Sequence, residues 1–232
     1  MKNFLQFNAV GARALSFLWA GLLSAGIGSR CAGQPAESGH ARKTVAVLGD
    51  SLAAGLGVEE TEAFPAVLQE KIEAAGLNYT VVNAGVSGDT TADGLNRINW
   101  LLKRKIDVLI LELGGNDGLR GLPVSATKSN LQSIIDRVTQ TYPQSQIVLA
   151  GMQMPPNMGS DYTKEFRKVF PDLAEKNHAA LIPFLLEGVG ARPDLNQPDQ
   201  IHPTAEGHRI IAKNVWKVLA PILNNGKRHP AP

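Results

Sequence analysis

Short apolar, β-branched runs alternate along this chain with longer segments whose apolar positions recur every three or four residues. Thr44–Leu48 (TVAVL) is the kind of run that forms a buried parallel strand. Phe64–Ala75 follows, with Phe64, Val67, Leu68 and Ile72 at helical spacing and Gly76 closing it. Tyr79–Val82 predicts a second strand. Thr90 and Asp93 resemble a capping box, opening a helix with Leu95, Ile98 and Leu102 on one face. Val108–Leu113 (VLILEL) predicts a third, nearly continuous apolar strand. Val124–Thr141 predicts a long amphipathic helix through Leu131, Ile134, Ile135 and Val138, stopped by Pro143. Ile147–Ala150 predicts a fourth strand, Tyr162–Asn177 a helix and Ala180–Ile182 a short fifth strand. Pro203 fits the first position of a last helix running to Leu223.

Strands separated by single helices imply parallel βαβ crossovers. The predicted fold class is therefore α/β, a three-layer α/β/α sandwich with about five parallel strands. Neither an internal repeat nor a second domain interrupts the pattern. In such a sheet chemistry sits where loops leave the C-terminal strand ends, so a functional motif should directly follow a strand.

The N-terminus breaks the alternation. Lys2 and Arg13 precede an apolar run from Ala14 to Ile27, with Gly26, Gly28 and Ser29 at its end and no acidic residue before Glu37. That order reads residues 1–31 as a secretory signal peptide, with a run too short to span a bilayer comfortably. Residues 32–42 read as a polar leader, 43–225 as the folded domain and 226–232 as a flexible tail. The expectation is a secreted or periplasmic protein with no transmembrane span in its mature form. Cys31 is the only cysteine, and Arg30 before it disfavours a lipid anchor there. The domain thus has no disulfide, thiolate nucleophile or cysteine metal site.

With 44% hydrophobic and 19% charged residues, the chain is of ordinary globular composition, so disordered and fibrous classes drop out. The formal net charge of +2 loses Lys2, Arg13 and Arg30 with the presequence and becomes about −1, so a nucleic-acid partner is not expected. No histidine or carboxylate spacing suggests a metal, and no cofactor is expected. The sequence does not speak to oligomeric state.

Four segments pass the strand-end test or adjoin the last helix. Gly49-Asp50-Ser51-Leu52 follows strand one; Ser51 there either exposes its hydroxyl at a strand-to-helix turn or merely caps a helix. Gly85–Thr90 follows strand two, where glycine lets a backbone N–H come close to a ligand or simply turns the chain. Gly114–Gly118 follows strand three; the Asn116 amide is a fixed donor for an oxyanion or part of a plain turn. Asp199 precedes His202 by three residues, so it can curl back to Nδ1 and leave Nε2 to face a serine hydroxyl; the alternative is a surface turn with a solvated histidine. His208, within the last helix, fits a surface position. A paired-carboxylate glycosidase has only Glu112 and Asp117 as loose candidates, and Glu112 inside an apolar strand is better read as an ion-paired or hydrogen-bonded structural group.

These blocks, in order, resemble the SGNH, or GDSL, hydrolase family from Val45 to Leu223: GDSL with Ser51, Gly88, GxND with Asn116, and DxxH with Asp199 and His202. The stretches VVNAGVSGDTT, ELGGNDGLRG and DQIHPTAEGH look like its bacterial thioesterase I/lysophospholipase L1/arylesterase branch. The resemblance implies a flavodoxin-like fold, Ser51 as nucleophile, His202 as base then acid, and Asp199 as the orienting carboxylate. It implies an oxyanion hole of Ser51 N–H, Gly88 N–H and the Asn116 side chain. It also suggests that Leu119, Arg120 and Leu122, with Met154 and Pro155, line the acyl groove; an inert loop and core packing are the alternatives. The expected substrate is a small-molecule or lipid ester or thioester. A carbohydrate O-acetylesterase and a non-catalytic acyl- or glycan-binding module are the competing readings.

Overall fold

The computed structural model describes residues 41–225. The predicted signal peptide with Cys31, residues 32–40 of the leader, and the tail 226–232 lie outside them. In chain order the elements are β1 (Lys43–Gly49), α1 (Ser51–Ala54), α2 (Phe64–Ala74), β2 (Tyr79–Gly85), α3 (Thr91–Leu101), β3 (Val108–Glu112), α4 (Gly115–Leu119), α5 (Val124–Thr141), β4 (Gln146–Ala150), α6 (Ser160–Lys176), β5 (Ala180–Ile182) and α7 (Ala205–Asn225). Short 3-10 turns precede α2 and α6.

All five strands are parallel, in the order β2-β1-β3-β4-β5. This is the flavodoxin-like order. The chain runs outward one way from β1 to β2, then reverses from β3 onward. Right-handed crossovers therefore put α2 on one face of the sheet and α3, α5 and α6 on the other. The helices pair accordingly, α2 against α7, and α3 against α5 against α6.

The central strands explain the apolar runs. Val45–Leu48 and Leu109–Leu111 are completely buried, covered on both sides by helices. In α5 the buried stripe is Val124, Thr127, Leu131, Ile134, Ile135 and Val138, while polar residues take the opposite side. Thr90 and Asp93 form the predicted capping box of α3: Thr90 N–H donates to Asp93 Oδ2 at 2.9 Å and Asp93 N–H to Thr90 Oγ1 at 3.4 Å. Gly76 closes α2 in the left-handed region at φ 61°.

Three expectations change. The segment after β3 is not a plain loop, because Gly115–Leu119 forms the short helix α4. Pro203 does not open the last helix. It forms an isolated antiparallel bridge with Asn196, and Thr204 N–H donates to Leu195 O at 2.8 Å, so α7 starts at Ala205. His208 is fully buried. Its Nδ1 accepts from Phe64 N–H at 3.2 Å, satisfying a first-turn donor of α2 that has no partner within that helix. The proton must then sit on Nε2, which has no hydrogen-bond partner.

Burial pushes the His208 pKa down to about 4, with Glu62 pulling it up and His202 pushing it further down. The folded chain thus binds a second ring proton, which would displace the Phe64 N–H from Nδ1, more weakly than the unfolded chain, whose ordinary value is 6.5. The contribution of His208 to stability is complete above 6.5 and is lost as pH falls from there toward 4, at up to about 1.4 kcal/mol per pH unit. His208→Gln keeps an acceptor for Phe64 N–H without the titration. Thermal denaturation of both proteins, which share every carboxyl group, should show wild type ahead at pH 7.5 and its lead shrinking in this window. A constant lead would contradict the assignment.

Candidate active site

β1, β2 and β3 end side by side, since Gly49 pairs with both Gly85 and Glu112. The loops leaving these strands carry Ser51, Gly88 and Asn116, beside the point where the strand order reverses. Asp50, not Ser51, caps α1: its Oδ1 accepts from Leu52 N–H at 3.0 Å. Ser51 is the first helical residue, so its own N–H lacks an intrahelical acceptor. α1 can lie this close to the strand ends because Gly49 and Gly85 have no side chain. A Cβ at Gly49 would strike Glu112 and Ala53, and one at Gly85 would strike the backbone of Ala53 and Ala54.

From the other end of the domain, residues 195–204 fold into a tight loop. Gln197 N–H donates to His202 O at 2.7 Å and Gln200 N–H to Gln197 O at 2.8 Å. Gln200 takes a left-handed φ of 60°, a strained position for a side-chain-bearing residue. This turn lets Asp199 curl back on His202. Asp199 Oδ1 accepts from Ile201 N–H at 2.9 Å and His202 N–H at 3.0 Å, and Oδ2 lies 2.6 Å from His202 Nδ1. The His202 hydrogen bonds, with that of Ile201, lower the Asp199 pKa to about 2. It is therefore a carboxylate across the physiological range. His202 Nε2 lies 3.0 Å from Ser51 Oγ, so a continuous Asp–His–Ser chain spans 151 residues of sequence.

Under this chain lies a second carboxyl layer. Glu112 is fully buried at the end of β3, and its Oε2 accepts from Asp50 N–H at 3.2 Å while Oε1 has no partner. Burial, then the nearby Asp50 charge, pushes its pKa well above the carboxylate range. Burial likewise raises Asp50 to about 6. Asn116 Nδ2 donates to Asp50 Oδ2 at 3.2 Å and to Asp89 O at 2.9 Å, joining all three loops.

Arg97, on α3, ties the first two of these loops together, and no sequence pattern singled it out. Its Nε reaches Asp89 Oδ2 at 2.6 Å and its Nη2 donates to Gly49 O at 3.0 Å. Asp89 lies before the α3 cap, so the pair escapes the helical spacing rules. Arg120 adds an outer tie, donating from Nη2 to Gly88 O at 3.0 Å; Gly88 has φ 88°.

Of the residues expected to line a groove, Leu119 and Pro155 are exposed and Leu122 and Met154 half-buried. Met154 rests on Gly118 of α4, and Leu122 O accepts from Tyr162 Oη at 2.8 Å. A cavity of about 210 Å³ lies elsewhere, among residues 105–107 and 141–145 before β3 and β4, away from Ser51.

Residues 47–210 match the GDSL-like Lipase/Acylhydrolase family. The chain belongs to this family. Among similar proteins, the esterase TesA of Pseudomonas aeruginosa is 40% identical over 184 residues, which cover 79% of this chain and 90% of that protein. Thioesterase 1/protease 1/lysophospholipase L1 of Escherichia coli K12 is 37% identical over 186 residues, 80% of this chain and 87% of that one. An arylesterase of Vibrio mimicus is 36% identical over 185 residues, covering 79% and 92%. The crystal structure of TesA superposes with a TM-score of 0.74 at 39% identity, covering 77% of this chain and 99% of that one.

The double tie made by Arg97 gives this GDSL-like site a test. Arg97→Ala should release Asp89 and Gly49 together and lower ester turnover on the order of 10²-fold, the scale of a displacement near 1 Å. Arg97→Lys, which offers a point charge in place of two fixed donors, should recover only part. Turnover within two-fold of wild type in Arg97→Ala would show that the loops hold without it.

Proposed function

We propose that this chain is an exported serine esterase that hydrolyses carboxylic acyl esters and thioesters through an acyl-serine intermediate. The observation carrying the reading is the Asp199–His202–Ser51 hydrogen-bond chain, at 2.6 and 3.0 Å, on the edge of the sheet where its strand order reverses. The family and the names of its relatives, an esterase, an arylesterase and a thioesterase/lysophospholipase, support ester hydrolysis. The proposed substrates are aryl and short-to-medium acyl esters, acyl thioesters and lysophospholipids.

In the proposed mechanism Ser51 Oγ attacks the acyl carbonyl while His202 Nε2 takes its proton. Asp199 holds the imidazole in the tautomer with its proton on Nδ1 and stabilises the imidazolium that forms. Charge growing on the carbonyl oxygen is received by Ser51 N–H, Gly88 N–H and Asn116 Nδ2. The long 3.2 Å bond from Asn116 to Asp50 is the one the oxyanion would replace, since the 2.9 Å bond to Asp89 O fixes the amide plane. His202 then protonates the leaving group, and water activated by the same nitrogen frees the acid. Leu119, Arg120, Leu122, Met154 and Pro155 are proposed to border the acyl chain.

Export is the second part of the proposal. It is supported by the charged, apolar and small-residue order of residues 1–31, and among the described residues no helix is long and apolar enough to cross a membrane. N-terminal sequencing of protein recovered outside the cytoplasm should begin near residue 32; a product that starts at Met1 would contradict cleavage.

Ser51→Ala should cost on the order of 10⁶ in kcat on a p-nitrophenyl ester and abolish fluorophosphonate labelling. Asn116→Ala should cost roughly 10²–10³ in kcat. Near-normal turnover in the first variant overturns the nucleophile, and a rise in KM alone in the second removes Asn116 from the oxyanion hole.

A further inference from the structure

Apart from Met1, every methionine of this chain falls in one seven-residue stretch: Met152, Met154 and Met158. The described residues contain no cysteine, so these thioethers are their only sulfur atoms. All three converge on the element that carries Asn116. Gly115, Gly118 and Gly121 recur at intervals of three and so share one side of α4 and the turn that ends it. A methyl group added at Gly115 would lie 3.6 Å from Met152 Cε, and one at Gly121 would lie 4.0 Å from Met158 Cε. One at Gly118 would overlap the Met154 thioether. Met154 sulfur therefore packs against bare backbone, two residues from Asn116.

The three residues differ in exposure. Met152 is buried, whereas Met154 and Met158 are half-exposed. A small oxidant in water can reach Met154, and the surface it would alter is the one on which α4 sits.

We propose that Met154 is an oxidation site through which a hydroperoxide disables the Asn116 donor. The thioether sulfur attacks one peroxide oxygen and the O–O bond breaks. A sulfur–oxygen bond forms, and with hydrogen peroxide the other oxygen leaves as water. Sulfur is oxidised by two electrons and the peroxide reduced by two. The sulfoxide is polar and chiral where the thioether was apolar and flexible. It takes apolar support from Gly118, so α4 shifts and Asn116 loses its alignment with the ester carbonyl. Sulfoxide reductases, which restore the thioether, make the change reversible.

The proposal rests on Asn116 as an oxyanion donor, and its test keeps the two ideas apart. Purified full-length enzyme is treated with hydrogen peroxide, sites of oxygen gain are mapped by peptide mass spectrometry, and kcat and KM are measured before and after. Met154→Leu and Met158→Leu are treated in parallel, each scored against its own untreated rate. Wild type and Met158→Leu should gain oxygen at Met154 and lose kcat on the order of 10²-fold at full oxidation, a loss reversed by methionine sulfoxide reductases A and B. Met154→Leu should keep most of its own rate. An equal fractional loss in Met154→Leu, no oxygen at Met154, or oxygen there with kcat unchanged overturns the proposal. A rise in KM alone overturns the route through α4. Asn116→Ala, measured without oxidant, judges the donor role separately.

Discussion

β1, β2 and β3 stop level with one another, and the site depends on that register. Gly49 faces Gly85 on one side and Glu112 on the other, so the loops leave the sheet at the same height. Ser51, Gly88 and Asn116 come within a few residues of those strand ends. A slip of one residue in a strand would turn every side chain to the opposite face, against packing partners it does not fit, and put its loop out of step with the other two. Packing of the core and placement of the site are thus one constraint. The same aliphatic runs that hold β1 between its neighbours hold the three loops abreast.

The strand ends are also where the interior stops being apolar. Glu112 is a carboxyl in a fully buried position, and its main protein contact is the N–H of Asp50. Asp50 in turn caps α1 and receives Asn116. Each group is costly to bury alone, and these hydrogen bonds offset part of that cost, with Glu112 Oε1 left unpartnered. Arg97 supplies the positive charge of the layer from the side, through Asp89 and the Gly49 carbonyl. Polar ties of this kind specify a single arrangement where packing alone would allow several.

What the sequence disclosed follows the same division. Apolar periodicity marked all five strands and the long helices to within a few residues, because burial in a parallel sheet leaves continuous runs such as VLILE. The loops bearing Ser51, Gly88 and Asn116 were found as glycine-bearing breaks at strand ends, and Asp199 with His202 as a pair just before the last helix. Less legible was anything set by distant partners. Gly115–Leu119 is helical although glycine, asparagine and aspartate favour turns; its Asp117 accepts from Thr91 N–H at 2.8 Å, a contact no local rule contains. His208 fitted a surface position because nothing nearby announces that Phe64, 144 residues earlier, fills its Nδ1. Pro203 lost the helix start to a bridge with Asn196. Arg97 went unnoticed for the same reason, since both its acceptors lie outside its own helix.

The 151-residue separation of Ser51 and His202 has a consequence for the life of the chain. Ser51 follows the first strand, whereas His202 belongs to the loop seated on the last helix, so neither a nascent chain nor an extended one can bring them together. During synthesis Ser51 emerges well before His202 exists. The hydroxyl gains its imidazole partner only when the C-terminal helix docks. An unfolded chain therefore carries both side chains without the contact between them that only the complete fold supplies.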